Sequence, residues 1–410
     1  MKRAITLILA VVMVASCFAG CAQKQDDSAA KTNPDQSAVN PAADQSEGST
    51  DAFTGEIVIG QIVTSITGAA AMYGDYIINS AQMAADEINA EGGINGKKVV
   101  IEYLDDQAQS TVALQCMQKL VDETNPLVVL GPDWSGNTLA AMPVAQEAGI
   151  PQLTSSKSRA LTHSGNDSLF RYVASSHMVG QTLAQLAKDL GYEKIAIWYT
   201  NTEYGVGGGE GAKLACEQLG LEVVCYEAHN DSDNDFTAQI QAVKNSGADC
   251  LISYSIQTPG AKSLKQLREQ GVDLPVLLGD AAITPDFAAL VGDEYMEGCI
   301  ATSAYVACDP SEGSMSYTQK YKELYGETPD DHGAPYYDMV KMLADVISKT
   351  GEDREAIIEG LKSVTDFEGA QGTYYCDEWG NMIHTCKVVE YKGGEWSYLY
   401  TVDNIEDFPD

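Results

Sequence analysis

A chain of 410 residues, 44% hydrophobic and 8% aromatic, can bury more than one large core. Its 59 acidic against 25 basic side chains give a formal net charge of −34. That balance argues against a nucleic-acid partner, whose phosphates need a basic footprint, and suits a monomer held apart from its copies by self-repulsion.

The opening MKRAITLILAVVMVASCFAGCAQ carries Lys2 and Arg3 and then an apolar run from Ala4 to about Phe18. The run is short for a membrane span and ends in small residues, as a secretory signal does. Its end, Phe18-Ala19-Gly20-Cys21, resembles the lipobox of bacterial lipoproteins, with Phe where Leu is usual. The resemblance implies a signal peptide over residues 1–21 and a diacylated Cys21 that anchors the protein to the extracellular face of the bacterial cell membrane. Val14-Ala15-Ser16-Cys17 is a rival match. Two acyl chains anchor stably, at about 0.8 kcal/mol per buried methylene. Residues 22–53, rich in Asp, Ser, Pro and Ala, cannot bury enough to order themselves and read as a disordered tether.

From Glu56, short β-rich apolar runs (EIVIGQIV, KKVVIEYL, PLVVLG, KIAIWYT, LEVVCYE, DCLISYS and LPVLLG) alternate with stretches of helical spacing such as YIINSAQMAADEINAEGG and FTAQIQAVKNSG. Several of these stretches end in glycine, the residue preferred at left-handed C-caps. Near-continuous apolar strands between helices predict parallel sheets covered on both faces. One set fills residues 56–155 and a second residues 194–280, so the fold class is α/β with two doubly wound parallel-sheet lobes. After Thr302 the pattern turns to helices and then to short strands. Open α/β sheets bind ligands at the carboxyl ends of their strands, and two facing lobes would enclose a cleft.

Setting aside Cys17 and Cys21 leaves eight of the ten cysteines, an even number that permits disulfides in an exported protein. Cys376 with Cys386, symmetric about DEWGN, is the first candidate; Cys216 with Cys225 follows, and Cys299 with Cys308 is weaker. There is no C-x-x-C, and the five histidines are scattered, so no metal site is expected.

The segment YGDYIINSAQMAADEINAEGGINGKKVVIEYLDDQ resembles the start of the leucine/isoleucine/valine-binding family of periplasmic-type solute-binding proteins, which serve ATP-driven amino-acid importers. The likeness continues through AQEAGIPQLTSS, LFRYVAS, NTEYGVGG, DNDFTAQIQAVKNSGADCLI, LLGD and YYDMVKMLADVI. It implies a type I periplasmic-binding-protein fold with three hinge crossovers, near Val173–Ser175, Thr302–Ala304 and Glu368–Gly372. Residues 54–173 and 305–370 would form the first lobe, and 174–304 and 371–402 the second. The implied function is capture of an amino acid, branched-chain by expectation, and delivery to an ABC permease. Neither a cofactor nor catalysis is implied. A different small ligand (urea, a short amide or an aromatic acid) is the runner-up, and a sensing role without transport is a further alternative.

Ser135 stands between the run PLVVL and a helical segment, where a hydroxyl and free N–H groups hold an anion; the bland reading is an ordinary N-cap. A nucleophile would need a base within reach, and no G-x-S-x-G elbow occurs. The resemblance gives Ser135 the ligand α-carboxylate. It matches Ser156 and Ser158 to a carbonyl and a hydroxyl of the next loop, although that loop is shorter here, leaving the register of Ser158 open. Asp280, at the end of LPVLLGD, matches the acid that pairs the ligand ammonium, a strong charge-assisted contact in a closed cleft. Tyr73 and Tyr204 match cleft aromatics. Trp134 could wall the side-chain pocket, Ile256 or Gln257 falls near another aromatic position, and Tyr336 near one on the first lobe. The disulfide common in leucine-type relatives would need cysteines at Ala108 and Trp134 and is absent.

Two patterns imitate other sites. Gly207-Gly208-Gly209-Glu210-Gly211-Ala212 fits a permissive dinucleotide motif, with Glu227 as acidic partner. Asp231, Asp233 and Asp235 imitate a calcium loop, which fails because Phe236 and Ala242 stand where Gly and Glu are required. Asp235 reads instead as the cap of the next helix.

Overall fold

The computed structural model describes residues 53–403 and 405, apart from 65, 68–70 and 384. The signal peptide, Cys17, Cys21 and the tether before Phe53 lie outside the described residues.

In chain order the first elements are β1 (Glu56–Val63), α1 (Ala71–Ala90), β2 (Lys98–Asp105), α2 (Ser110–Lys119), β3 (Val128–Leu130), α3 (Ser135–Glu147), β4 (Gln152–Thr154), α4 (Arg159–Thr162) and β5 (Leu169–Arg171). Next come α5 (Ser176–Asp189), β6 (Lys194–Thr200), α6 (Glu203–Leu219), β7 (Glu222–His229), α7 (Thr237–Ser246), β8 (Cys250–Tyr254), α8 (Gln257–Glu269), β9 (Val276–Leu278), α9 (Pro285–Val291), α10 (Asp293–Met296) and β10 (Ile300–Ser303). The chain closes with α11 (Glu312–Tyr325), α12 (Ala334–Thr350), α13 (Arg354–Lys362), β11 (Phe367–Gly369), β12 (Gly372–Tyr374), β13 (Cys386–Lys392) and β14 (Glu395–Val402).

The first sheet is five-stranded and parallel, in the order β2-β1-β3-β4-β5. The second has seven strands in the order β14-β13-β10-β9-β8-β6-β7, parallel from β10 to β7, with β13 and β14 added antiparallel. Both orders reverse direction once, between β1 and β3 and between β6 and β8. Those reversals splay the following helices to opposite faces and open a crevice at the strand ends.

The apolar runs of the sequence are these strands. Ile57, Ile59 and Val63 of β1 pack with Ile77, Val340 and Leu343 of α1 and α12 on one face, while Ile62 packs with Met117, Ala141 and Ile150 on the other. A strand buried on both faces shows no polar alternation, which is why the run reads as continuous. The glycine stops are present as well: Gly220, Gly247 and Gly326 end α6, α7 and α11 in left-handed conformation.

The chain passes between lobes at three places. Val173 lies in the first core and Ala174 in the second. After β10, Ala304 is again in the first core, and α11 packs on α1 through Tyr317 and Tyr321. The third passage differs from expectation. Tyr374, Met382 and Ile383 belong to the first core, and Asn381 bridges to Arg171 beside β5. The chain enters the second sheet only with Cys386. Residues Glu368–Gly372 touch the hinge without crossing there, because the β11–β12 hairpin folds back under α12, where Asp338 accepts the N–H groups of Ala370 and Gln371 at 2.8 and 3.1 Å.

The expected disulfides are not formed; the eight described cysteines are free thiols. Cys376 packs against the first core while Cys386 lies within the second. Cys216 and Cys225 fall in separate clusters, because helix and strand carry them to opposite faces of the second sheet. Among the described residues no helix is long and apolar enough to cross a membrane.

Candidate functional site

The loop after β4 on the first lobe meets the loop after β9 on the second through Lys157 and Asp280, with Tyr204 and Tyr254 beside them. After β3 the Gly131–Pro132 peptide is cis, and the chain turns through Asp133 and Trp134 into α3. Ser135 begins that helix, buried, and its Oγ accepts the N–H of Ser158 at 3.1 Å. The hydroxyl thus ties the two first-lobe loops together. Ser156 is wholly buried, and its hydroxyl donates toward the carbonyls of Pro132 (3.1 Å) and Asp133 (2.8 Å) and contacts Thr138 Oγ1. Ser158 caps α4, and its carbonyl accepts from Arg171 at 2.7 Å.

Between these serines stands a residue that sequence reasoning passed over. Lys157 carries its ammonium across the cleft to Asp280 Oδ2, and also meets Asp331 Oδ2 at 3.2 Å. Burial alone would lower its pKa, but the carboxylates of Asp280 and Asp331 outweigh that and hold it above the ordinary lysine value. Asp280, at the end of β9, is 2% exposed. Its Oδ1 accepts the hydroxyls of Tyr204 (2.9 Å) and Tyr254 (3.0 Å), whose rings lie 4.6 Å apart. Tyr254 was also missed. It closes β8 two positions before Ile256, and the strand-end position was the available signal.

The third group of charges comes from the loop before α12. His332 Nδ1 lies 3.0 Å from Asp330 and 3.3 Å from Asp331, and its ring stacks on Tyr73 at 4.5 Å. Burial works against the imidazolium, but these two carboxylates prevail and raise its pKa well above the usual histidine range. Asp331 is held low by Lys157 and His332 in spite of its burial. Burial pushes Asp133 up, opposed by His332, Thr64 and Lys157. Deeper still, burial raises Asp106 to about 7 although it accepts from Asn137, Thr64 and the Ala108 N–H.

The remaining expected residues divide. Tyr73 is nearly buried at the cleft, where burial, then Asp330, then Asp286 of the second lobe raise its pKa. Trp134 is 40% exposed beside Ser135. Ile256 caps α8, its N–H donating to Thr200 at 3.0 Å. Tyr336 is fully buried in the first core, its hydroxyl 3.5 Å from Ser155 Oγ of the loop after β4. Lys157, Val173, Ala174, Val179, Asp280, Ser303, Ala304, Asp331 and Gln371 line a pocket of about 10 Å³, room for one water at most. Beside it the Lys157–Asp280 pair bridges the two lobes.

The glycine-rich stretch has a packing role in place of a nucleotide-binding one. A Cβ on Gly208 would fall inside the Tyr254 ring, and one on Gly180 of α5 would strike the Gly208 carbonyl. The glycines let α6 lie directly on α5 and on the tyrosine that holds Asp280. Asp235 stands one residue ahead of the expected cap position, which Phe236 fills, and accepts the Thr237 N–H at 3.0 Å. Ser255 Oγ contacts His229 Nε2 at 2.8 Å, with both residues buried at the ends of β8 and β7.

The sequence profile described as periplasmic binding protein matches residues 56–395. An amino acid binding protein of Pseudomonas aeruginosa is 27% identical over 347 residues, covering 83% of this chain and 90% of that protein. A leucine binding protein from Thermotoga maritima superposes with a TM-score of 0.78 at 26% identity, covering 85% of this chain and 99% of that one. A branched-chain amino acid transporter substrate binding protein from Streptococcus pneumoniae, solved with isoleucine, gives 0.76 at 26% identity over 84% and 99%.

Proposed function

Because the chain belongs to the periplasmic binding protein family, we propose that it captures an amino acid between its lobes, by preference a branched-chain one, and delivers it to the permease of an ABC importer. The observation that carries this reading is Asp280. A carboxylate on the second lobe, oriented by two tyrosine hydroxyls, already holds an ammonium donated from the first lobe. A ligand ammonium needs that environment, and a charge-assisted contact in a dry cleft is among the stronger polar interactions available. The first-lobe loops carrying Ser135, Ser156 and Ser158 supply the carboxylate side, with Tyr73, Tyr204, Trp134 and Ile256 around the ligand. No bond is made or broken; binding energy goes into hinge closure, which creates the shape a permease recognises.

Acylation of Cys21 would anchor a monomer to the extracellular face of the bacterial cell membrane, and residues 22–53 would let it reach the permease. Replacing Cys21 with Ala should move the protein from the membrane to the soluble fraction; retention there would transfer the role to Cys17.

The test is calorimetric titration of protein unfolded and refolded to strip co-purified ligand, with leucine, isoleucine and valine, then the other amino acids, then urea, short amides and aromatic acids. Exothermic binding of a branched-chain amino acid is expected. A ligand at 100 times its dissociation constant also raises stability by about 2.7 kcal/mol, an independent check by melting. Silence across all amino acids with a response to an amide or an aromatic acid would remove the ammonium role of Asp280.

A further inference from the structure

The cation at Asp280 belongs to the protein itself. Lys157 reaches from the first lobe to Asp280 on the second, and its other partner, Asp331, lies on its own lobe. A ligand ammonium seeking Asp280 therefore meets an ammonium already in place. Around this point two cations, Lys157 and His332, face three carboxylates, Asp280, Asp330 and Asp331. The cleft has no surplus positive charge to attract a simple anion. The pocket beside this pair holds only about 10 Å³, so a ligand that takes the place of the pair needs a side chain to move, and lysine, a point charge on a flexible four-carbon stem, moves readily.

We propose that Lys157 is a tethered stand-in for the ligand ammonium, and that a zwitterion binds by inserting between Lys157 and Asp280, its carboxylate on the lysine and its ammonium on the aspartate. The inference rests on the amino-acid reading of this cleft. The exchange leaves the net charge unchanged: one ion pair opens, and each of its members re-pairs with the opposite pole of the ligand. Asp331 keeps Lys157 neutralised on the first lobe throughout. A carboxylate without an ammonium would leave Asp280 buried and unpaired. An amine without a carboxylate would displace Lys157 from Asp280 and leave it Asp331 alone as partner, one contact fewer than before. Uncompensated buried charge is strongly disfavoured, so the pair selects for ligands carrying both groups.

Calorimetric titration of the full chain with leucine, 4-methylpentanoate (leucine lacking its ammonium) and 3-methylbutylamine (leucine lacking its carboxylate) reads this selection. The wild type should bind each truncated compound at least about 30-fold more weakly than leucine. Lys157→Met should weaken leucine by a similar factor of about 30, and Lys157→Arg should recover most of it. Asp280→Asn should narrow the gap between leucine and 4-methylpentanoate. Lys157→Met leaves two buried carboxylates facing each other and risks misfolding, so the double variant Lys157→Met/Asp280→Asn, which removes the cross-lobe pair as a unit, is measured beside it. Small-angle scattering supplies a readout that needs no ligand: both variants should show a larger radius of gyration than the empty wild type. Leucine affinity in Lys157→Met within about threefold of wild type, the range of a neutral substitution, overturns the proposal. So does a wild type that binds 4-methylpentanoate as well as leucine. A wild type that binds no amino acid overturns the reading of the cleft, and the ligand half of the proposal with it. An unchanged radius of gyration in the variants overturns the stand-in itself.

Discussion

Lys387 and Ala304 are joined by a hydrogen bond of 2.9 Å, the lysine ammonium donating to the carbonyl. Lys387 lies at the start of β13, where the chain makes its last passage, and Ala304 lies at the second passage. The same ammonium donates to the Gln371 carbonyl, and Gln371 Nε2 donates to the Tyr172 carbonyl, beside the first passage, at 2.8 Å. One run of hydrogen bonds thus links all three.

Lys387→Met should therefore loosen the hinge as well as weaken the fold. Lys387 is buried, and burial pulls its pKa down against the opposing pull of Asp309. Methionine fills the space but leaves the carbonyls of Ala304 and Gln371 without their donor, at a cost of about 1–3 kcal/mol. Urea unfolding should show a lower midpoint at unchanged slope. An unchanged midpoint would mean that the contact contributes nothing net.

Asp280 and its tyrosines should separate by size of effect. Asp280→Ala is expected to weaken amino-acid binding by at least about 2 kcal/mol through loss of a charge-assisted contact. Tyr254→Phe removes one of two hydroxyls on the same oxygen and should cost about tenfold in affinity, with the ring packing kept. Calorimetry on both variants decides; equal affinity in wild type and Asp280→Ala would remove this residue from the site.

Asp106 should give the first lobe a pH dependence of definite sign. Its folded pKa, about 7, lies above the unfolded carboxylate value because burial disfavours the charged form. The folded state then binds more protons than the unfolded state between about 4 and about 7. The stability this group contributes is complete below that window and is lost as pH rises through about 7. Wild type should lose melting temperature relative to Asp106→Asn between those limits and hold a constant gap above them. A gap independent of pH would show that Asp106 titrates normally.

The thiols should behave as individuals. Cys216, Cys225, Cys250, Cys299 and Cys386 are buried and Cys308 is exposed. A thiol reagent should label Cys308 promptly in the native protein and the buried five only after denaturation. Reductant should leave the melting temperature unchanged; a fall on reduction would reveal a disulfide.

The alternation of strands and helices was legible because parallel strands buried on both faces write their burial into consecutive residues, and glycine stops mark the helix ends. Asp280 and Tyr204 were legible through strand-end position and resemblance. Lys157 was not. In Thr-Ser-Ser-Lys-Ser it reads as part of a polar turn, and nothing local announces a carboxylate 123 positions away. Tyr254 reads as strand core until its neighbour across the sheet is known. The late third passage was hidden for a similar reason: the sequence after Gly372 has strand character, but which sheet a short strand joins is decided by Asp338 and Arg171, remote in the chain.

The two cores are both discontinuous in sequence. The first needs Met382 and Ile383 to fill it, and the second needs Val388 and Val389. A nascent chain emerging from its N-terminus thus carries neither core in finished form until almost the last residue is free. Only the cluster of Ile62, Met117, Val129 and Ile150 is complete early; the rest of both lobes waits for residues much further along the chain.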